Sequence, residues 1–258
     1  MPSILRDHAD ALEPQAPSAA FDELIRQVQH QLQNDTARVS IASAQKTADG
    51  LRIGVDIVNL TGHKFPTGFP SRRAWLHVTV RDADGGVVFE SGRWNDRGQL
   101  VDSSDAVLAI EQVDGPVEPH RDTVNASEQV QIYEPIMAGT DGQAVFRFLR
   151  AETYAKDNRL LPKGWSSAHA QASDTAPAGV DGDENFRGGA DRVVYEVVLD
   201  ELDGEFTVDA ELVYQALGAR FAAEIFTADT RPMKVFEQYY DEADVTPELV
   251  SGDTAVVE

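Results

Sequence analysis

A histidine and three basic side chains occur together in one short, turn-rich stretch of the chain. The stretch covers residues 61–73 and reads TGHKFPTGFPSRR. Its prolines fix the backbone φ angle, and its glycines permit turns that other residues resist. The sequence therefore predicts a rigid turn that holds His63 in a defined arrangement with its basic neighbours, which are Lys64, Arg72 and Arg73. An imidazole can ligate a metal ion, and a guanidinium group can bind a carboxylate through two parallel hydrogen bonds.

A second histidine lies in a similar position. His120 follows a proline in the segment Glu118-Pro119-His120, and it is one of six histidines in the chain. The simpler interpretation of both His63 and His120 is that each ring hydrogen-bonds backbone carbonyls and stiffens its turn. His77 alternates out of a predicted strand, where we expect an ordinary surface or sheet residue.

Two further groups give weaker signals of binding. Asp181, Asp183 and Asn185 offer several oxygen atoms within a short span, and calcium prefers oxygen ligands. Their spacing does not match an EF-hand loop, so a solvated loop is the simpler interpretation. Trp75, Trp94 and Trp165 form a candidate sugar-binding platform on a β-sandwich. We expect Trp75 to pack in the core, whereas Trp94 and Trp165 lie in predicted loops, where either role is open.

The motifs of common enzymes are absent from the sequence. It contains no GxSxG elbow, no P-loop, no HExxH pair and no dinucleotide-binding glycine fingerprint. Neighbouring carboxylates are expected by chance in a chain with 44 acidic residues. A glycosidase needs no local motif for its two carboxylates, so the sequence alone leaves that class open. We otherwise expect a protein that is not an enzyme.

The charge of the chain restricts its partners. With 22 basic and 44 acidic residues, the formal net charge is −22. Such a field repels nucleic acid and anionic lipid, so we expect no nucleic-acid partner. It favours cations or cationic partners, and a saline source is the other interpretation of the same excess. We also expect no membrane insertion, because no apolar run approaches the length of a membrane span.

Cysteine is absent from the sequence. The chain therefore holds no covalent c-type haem, no disulfide, no iron–sulfur cluster and no thiol nucleophile. Residues 1–20 contain three acidic side chains and no continuous apolar region, so they do not resemble a signal peptide. Neither observation determines the localisation of the protein.

The elements that position these residues are mainly strands. Residues 1–17 are predicted to be a flexible leader, residues 18–36 an N-terminal helix, residues 37–250 a β-sandwich domain and residues 251–258 a frayed, flexible tail. The helix follows from an apolar stripe at helical spacing, formed by Phe21, Leu24, Ile25, Val28 and Leu32. This stripe is expected to pack on the β domain or on a haem-bearing neighbour.

Alternation of apolar and polar residues predicts the strands, and Gly and Asp mark the turns between them. A first strand pair is predicted at residues 37–44 and 51–60. Three hairpins are predicted at residues 75–81 with 86–90, 130–137 with 144–150, and 193–199 with 206–214. Peripheral helices are predicted at residues 216–228 and 233–240. The predicted fold is mainly β, an antiparallel β-sandwich with an N-terminal helix and peripheral C-terminal helices.

Several blocks of the chain resemble one known family. The blocks are the run at residues 61–73, Glu118-Pro119-His120, and residues 128–134, 156–164, 186–195 and 211–215. In this order they are similar to the cysteine-free C-terminal β domain of large multihaem c-type cytochromes, and they span about residues 20 to 250. In that family the haems lie upstream on CxxCH motifs, which this sequence lacks.

The resemblance implies a role in electron transfer, with haem supplied by a haem-bearing c-type cytochrome partner or by a preceding part of the protein. It implies that His63 and His120 ligate or contact that haem. It implies carboxylate or propionate clamps at Lys64, Arg72 and Arg73, and docking through the helix at residues 21–32. It also implies a periplasmic or extracellular location. The alternatives are an extracellular carbohydrate- or cation-binding β-sandwich module and a structural domain without a ligand.

Overall fold

A computed structural model describes residues 2–258 and shows a mainly β chain. Its strands are β1 (Ala37–Lys46), β2 (Gly50–Asn59), β3 (Arg73–Arg81), β4 (Val87–Ser91), β5 (Thr123–Val124), β6 (Ile132–Tyr133), β7 (Pro135–Ala138), β8 (Ala144–Val145), β9 (Thr153–Asp157), β10 (Ala190–Val198), β11 (Phe206–Gln215) and β12 (Glu248–Val257). Its α-helices are α1 (Pro2–Asp7), α2 (Ala9–Leu12), α3 (Ser18–Gln31), α4 (Ala219–Phe226) and α5 (Arg231–Asp241). A π-helical turn (Leu32–Thr36) and three 3-10 turns (Ala109–Glu111, Phe148–Arg150, Ala172–Thr175) complete the described elements.

Two larger sheets contain the long strands. The first has the order β1-β2-β10-β5, and the second has the order β12-β11-β3-β4 with β6 also paired to β3. Neighbouring strands are antiparallel, apart from the short parallel pairing of β5 with β10. Apolar side chains of both sheets form one buried cluster, which includes Ile53, Val55, Leu76, Val78, Val193 and Val208. The predicted antiparallel β-sandwich with peripheral helices is therefore confirmed.

The C-terminal residues form a strand, so the prediction of a frayed tail at residues 251–258 is wrong. β12 pairs with β11 along its length, from Phe206 opposite Val257 to Tyr214 opposite Glu248. Its polar side chains also bind the edge of β1. Ser251 Oγ accepts from the Val39 N–H (3.1 Å), and Asp253 Oδ2 accepts from the Ile41 N–H (2.8 Å). The polar residues that led to the prediction of a tail thus accept hydrogen bonds from backbone N–H groups of β1, which is an edge strand.

The third predicted hairpin is also wrong. β10 lies in the first sheet, where Val193 is opposite Val55, and β11 lies in the second, where Val208 is opposite Val80. The segment through Asp203 therefore crosses between sheets. Turn residues show that the chain reverses, but they do not show which strand it pairs with afterwards. The first predicted hairpin is confirmed by β3 and β4, and the second survives as the short pairing of β7 with β8.

The helices near the N-terminus differ in part from the prediction. Where the sequence predicts a flexible leader, the structure has α1 and α2, and Ile4 of α1 is buried. α3 and the following π-helical turn occupy the helix predicted at residues 18–36. Phe21 is buried, whereas Leu24 and Val28 are 44% and 49% exposed.

In residues 2–258 no helix combines the length and apolar character that crossing a membrane requires.

Candidate functional site

The turn that carries His63 is tied to the end of β2 by one buried side chain. The Asn59 amide donates to the carbonyls of His63 (2.8 Å), Leu160 (3.1 Å) and Leu161 (3.1 Å). Its Oδ1 accepts from the N–H (2.9 Å) and the hydroxyl (2.7 Å) of Thr61. Phe65 adds backbone hydrogen bonds to Leu160 in both directions. These hydrogen bonds therefore hold residues 61–65 of the turn against the end of β2 and against Leu160 and Leu161.

The His63 ring is exposed, and its two nitrogens have different surroundings. Nδ1 lies 3.0 Å from the carbonyl oxygen of Lys64 and 3.3 Å from Thr61 Oγ1. A carbonyl only accepts, so the hydrogen bond to Lys64 places the imidazole proton on Nδ1 and the lone pair on Nε2. Nε2 has no hydrogen-bond partner among residues 2–258. Metal-ligating histidines typically have this arrangement, with one N–H on a carbonyl and the other nitrogen free.

The side chain of His120 is only 4% exposed, and both of its ring nitrogens form hydrogen bonds inside the protein. Nδ1 accepts from the amides of Gln131 (2.8 Å) and Asn158 (3.1 Å). Both amide orientations are set by backbone N–H groups, because the Gln131 oxygen accepts from Arg121 and the Asn158 oxygen from Glu134. The imidazole proton is therefore on Nε2.

That proton is donated to Asp183 Oδ2 at 2.8 Å. Burial lowers the pKa of His120 and outweighs the hydrogen bond and charge of Asp183, so the ring is neutral. The two candidate histidines therefore differ in kind. His63 presents a free nitrogen at the surface, whereas His120 orders a buried polar network.

The His120 network also contains Asp191. Atoms of His120, Asp183 and Asp191 that could bind a metal all lie within 4.8 Å of one another. However, His120 offers no lone pair to them, because Nε2 carries the proton. Asp191 accepts from the Tyr133 hydroxyl (2.7 Å) and the Arg192 N–H (2.8 Å), and burial raises its pKa to about 7. These contacts fit a hydrogen-bonded network around an acid better than a metal centre.

Of the predicted clamps, Lys64 points inward. Its Nζ donates to Asp157 Oδ2 (2.6 Å) and to the Ala176 carbonyl (3.3 Å). Arg159 binds the same buried carboxylate at 2.6 Å. Burial lowers the pKa of Lys64, although Asp157 opposes that effect. Lys64 therefore anchors the turn to the last residue of β9 and to the loop that follows this strand.

The two neighbouring arginines have opposite environments. Arg73 is 4% exposed and forms a buried ion pair with Glu111. It also donates to Gln215 Oε1 (2.9 Å) and to the Gly98 carbonyl (3.1 Å). Arg72 is half-buried, and its Nη1 donates to the Thr67 carbonyl at 2.7 Å. Its Nε and Nη2 have no partner within residues 2–258, so Arg72 is the candidate clamp that remains available to a carboxylate outside the chain.

The predicted cation ligands do not converge. Asp183 Oδ1 accepts from the N–H groups of Asn185 (2.9 Å) and Phe186 (3.1 Å), while Asp181 is exposed. The Asn185 amide donates to Asp122 (2.7 Å), and its oxygen accepts from the Arg192 N–H (2.7 Å). Asp183 and Asn185 therefore brace the loop, and Asp183 alone of this set joins the His120 network.

The two candidate sugar-binding tryptophans pack against different apolar clusters. Trp94 contacts Trp75 and His77 edge-on, with ring centroids 6.0 Å and 5.1 Å away. Trp165 packs on the main core, and its Nε1 donates to Thr175 Oγ1 at 3.0 Å. Because they pack on different clusters, they do not form one platform.

His77 has a more specific environment than the sequence suggests. Its Nε2 lies 2.9 Å from Glu90 Oε1, and its Nδ1 lies 3.1 Å from Glu211 Oε2. Burial lowers its pKa, but the hydrogen bonds and charges of Glu211 and Glu90 outweigh burial and raise it overall. Sequence reasoning missed this group because its members come from three strands, and only the register of the sheet brings them together.

Comparison with known proteins gives one similar fold. No family model and no curated protein matches the sequence. Among solved structures, the chain is similar to the crystal structure of a penta-heme cytochrome c552 from Thermochromatium tepidum, with a TM-score of 0.50 and 15% sequence identity. The similarity covers 88% of this chain but 41% of that one, so this chain spans about two fifths of its length. At this identity the likeness is one of fold.

Proposed function

We propose that this chain is a haem-free β-sandwich unit of multihaem electron transfer, and that it docks on a haem-bearing c-type cytochrome chain. In this proposal His63 Nε2 completes the coordination of a haem iron in the partner. The observation that carries the proposal is the His63 ring itself, which is exposed, has its proton held by the Lys64 carbonyl and leaves Nε2 free. In this proposal the role is non-catalytic, and the covalently attached haem belongs to the partner, because a chain without cysteine cannot form the thioether bonds of a c-type haem.

The chemistry of the turn supports this assignment. Neutral imidazole is a common axial ligand of haem iron, and a carbonyl that accepts its other N–H raises its basicity and fixes its orientation. Asn59 holds the carbonyl of His63 from within the sandwich, so the ligand is positioned before a partner arrives. Such preorganisation reduces the entropy that binding costs.

The surroundings of the turn add further support. Arg72 has guanidinium N–H groups free for a haem propionate, which is a carboxylate. The similar solved structure is named as a penta-heme cytochrome, and this chain corresponds in fold to part of it. His120 has a different role in this proposal, because its nitrogens are bound to Gln131, Asn158 and Asp183. In this proposal His120 orders the buried hydrogen-bond network and does not contact haem.

A titration with a c-type haem peptide tests the proposal. The probe is a peptide whose haem has one axial histidine and an open sixth position, and the readout is the visible spectrum. We expect a saturable shift of the Soret band from high spin to low spin. His63→Ala should abolish the shift, whereas His30→Ala, which also removes an exposed histidine, should leave it unchanged. A shift that survives in His63→Ala, or no shift with the unaltered protein, would overturn the proposal.

A further inference from the structure

An aromatic patch lies on the surface beside the His63 turn. We define it as Phe69, Phe146, Phe148, Leu149 and Phe221. The ring of Phe69 meets that of Phe148 edge-on at 4.6 Å between centroids, and Phe221 lies 6.0 Å from Phe69 and 5.8 Å from Phe146. Phe69 is 53% exposed, and Leu149 is fully exposed. A contiguous apolar patch of this kind typically marks an interaction surface in a soluble protein.

Three elements build the patch. Phe69 comes from the same turn as His63, Phe148 and Leu149 come from the 3-10 turn after β8, and Phe221 comes from α4. Phe221 is buried and supports the rings above it. The rings of Phe69, Phe146 and Phe148 therefore pack against Phe221. The side chain of Leu149 is exposed to solvent instead. The exposed part of the patch is available to a partner without unfolding.

The two chain segments that carry Phe69 and Phe148 are locally basic. The chain carries −22 overall, yet residues 60–81 and 144–151 contain no acidic residue. Arg147 and Arg150 are exposed next to the patch, and Arg72 follows Phe69 on the turn. Arg147 donates to Thr227 Oγ1 at 3.2 Å, and neither Arg147 nor Arg150 has an ion pair within residues 2–258. The patch thus combines apolar surface with unpaired positive charge.

We propose that the aromatic patch is the docking surface for the haem-bearing partner, and that it covers the exposed edge of the haem. A haem is a flat apolar ring with two carboxylates on one side, and the patch offers matching chemistry in its rings and arginines. The inference rests on the proposed function, because the occupant is the same partner that His63 would ligate. It adds the surface that supplies affinity beyond the iron–nitrogen bond.

The test compares two charge insertions at exposed apolar residues. Leu149→Asp alters the patch, and Val198→Asp is the control, since Val198 is 77% exposed at the end of β10. The c-type haem peptide is titrated, with quenching of tryptophan fluorescence as the measure of binding and the Soret band as the measure of ligation. We expect Leu149→Asp to weaken binding by about tenfold, as for an interface residue whose apolar contact is replaced by a charge. The low-spin spectrum at saturation should be retained, and Val198→Asp should bind like the unaltered protein.

The arginines are tested with a haem peptide whose propionates are esterified. The unaltered protein should bind the esterified peptide more weakly than the free acid. A variant with both Arg147→Gln and Arg150→Gln should bind the two peptides alike. Undiminished discrimination in that variant would overturn the role of these arginines.

The two proposals fail in different ways. If His63→Ala loses the low-spin spectrum while Leu149→Asp and Val198→Asp bind equally, ligation stands and the docking surface is overturned. If no low-spin spectrum forms but quenching is weakened by Leu149→Asp alone, the docking surface stands and ligation by His63 is overturned.

Discussion

The side-chain amide of Asn59 donates to the backbone carbonyl of His63 across 2.8 Å, and this contact joins the end of a core strand to the candidate ligand. Asn59 is fully buried, so the contact is protected from water. It connects the stability of the sandwich to the orientation of the histidine. Changes at Asn59 should therefore affect both properties together.

We expect Asn59→Asp to destabilise the protein by about 2–4 kcal/mol, because buried carbonyls lose their donor and a carboxylate is buried in its place. Chemical denaturation measures this loss. The same variant should bind the haem peptide more weakly, because the His63 turn loses its anchor. Asn34→Asp is the control, since Asn34 is exposed on the π-helical turn. Equal stability of the two variants would contradict the anchoring role.

Arg72 and Arg73 are adjacent in sequence and should behave oppositely. Arg73→Met leaves Glu111 buried without its partner, which we expect to cost about 3–5 kcal/mol of unfolding free energy. Arg72→Met removes a half-exposed group and should cost less than about 1 kcal/mol. Affinity for the haem peptide should fall in Arg72→Met. Urea unfolding measures the stability of both variants. A larger loss of stability in Arg72→Met than in Arg73→Met would contradict this assignment.

Stability should decrease as pH rises from about 4 to 7 because of Asp191. Its folded pKa is about 7 against an ordinary value of 3.8, so the folded state binds the proton more tightly. The resulting contribution is fully present below pH 3.8 and is lost as pH rises through 7. Over this interval the loss is on the order of 4 kcal/mol. Denaturation curves across pH should be flatter for Asp191→Asn than for the unaltered protein.

His77 should contribute stability at lower pH. The folded pKa is raised above 6.5 by Glu211 and Glu90, so the contribution is fully present below pH 6.5 and is lost as pH rises through the raised value. His77→Gln should remove this pH dependence, whereas His30→Gln at an exposed site should not. An NMR titration of the His77 ring provides a direct check. A midpoint at or below 6.5 would contradict the ion-paired geometry.

The strand at the C-terminus should be required for stability. Asp253→Ala removes the acceptor for the Ile41 N–H, and we expect a loss of about 1–2 kcal/mol. Glu258→Ala, at the exposed terminal residue, should have no measurable effect. Thermal unfolding of both variants measures how much this contact of β12 contributes to stability, and equal melting temperatures would contradict the expected loss.

Much of the architecture followed from local features of the sequence. Alternation predicted the long strands, apolar spacing predicted α3, and prolines and glycines predicted the rigid turn around His63. These features act over a few residues, where backbone sterics and burial of one face decide the outcome. The misplaced elements were those whose partners are distant. β12 looks like a tail until β1 and β11 bind it, and β10 and β11 look like a hairpin until each joins another sheet.

The sequence by itself determined the absence of covalent haem, the acidic charge and the residue types of the candidate site. It did not distinguish His63 from His120, or Arg72 from Arg73, because these residues share their chemistry and differ in surroundings. Tertiary structure alone decided that His63 keeps Nε2 free and that His120 is enclosed by Gln131, Asn158 and Asp183. The physical reason is that burial and hydrogen-bond partners, supplied by distant segments, decide which nitrogen carries the proton and which group meets solvent.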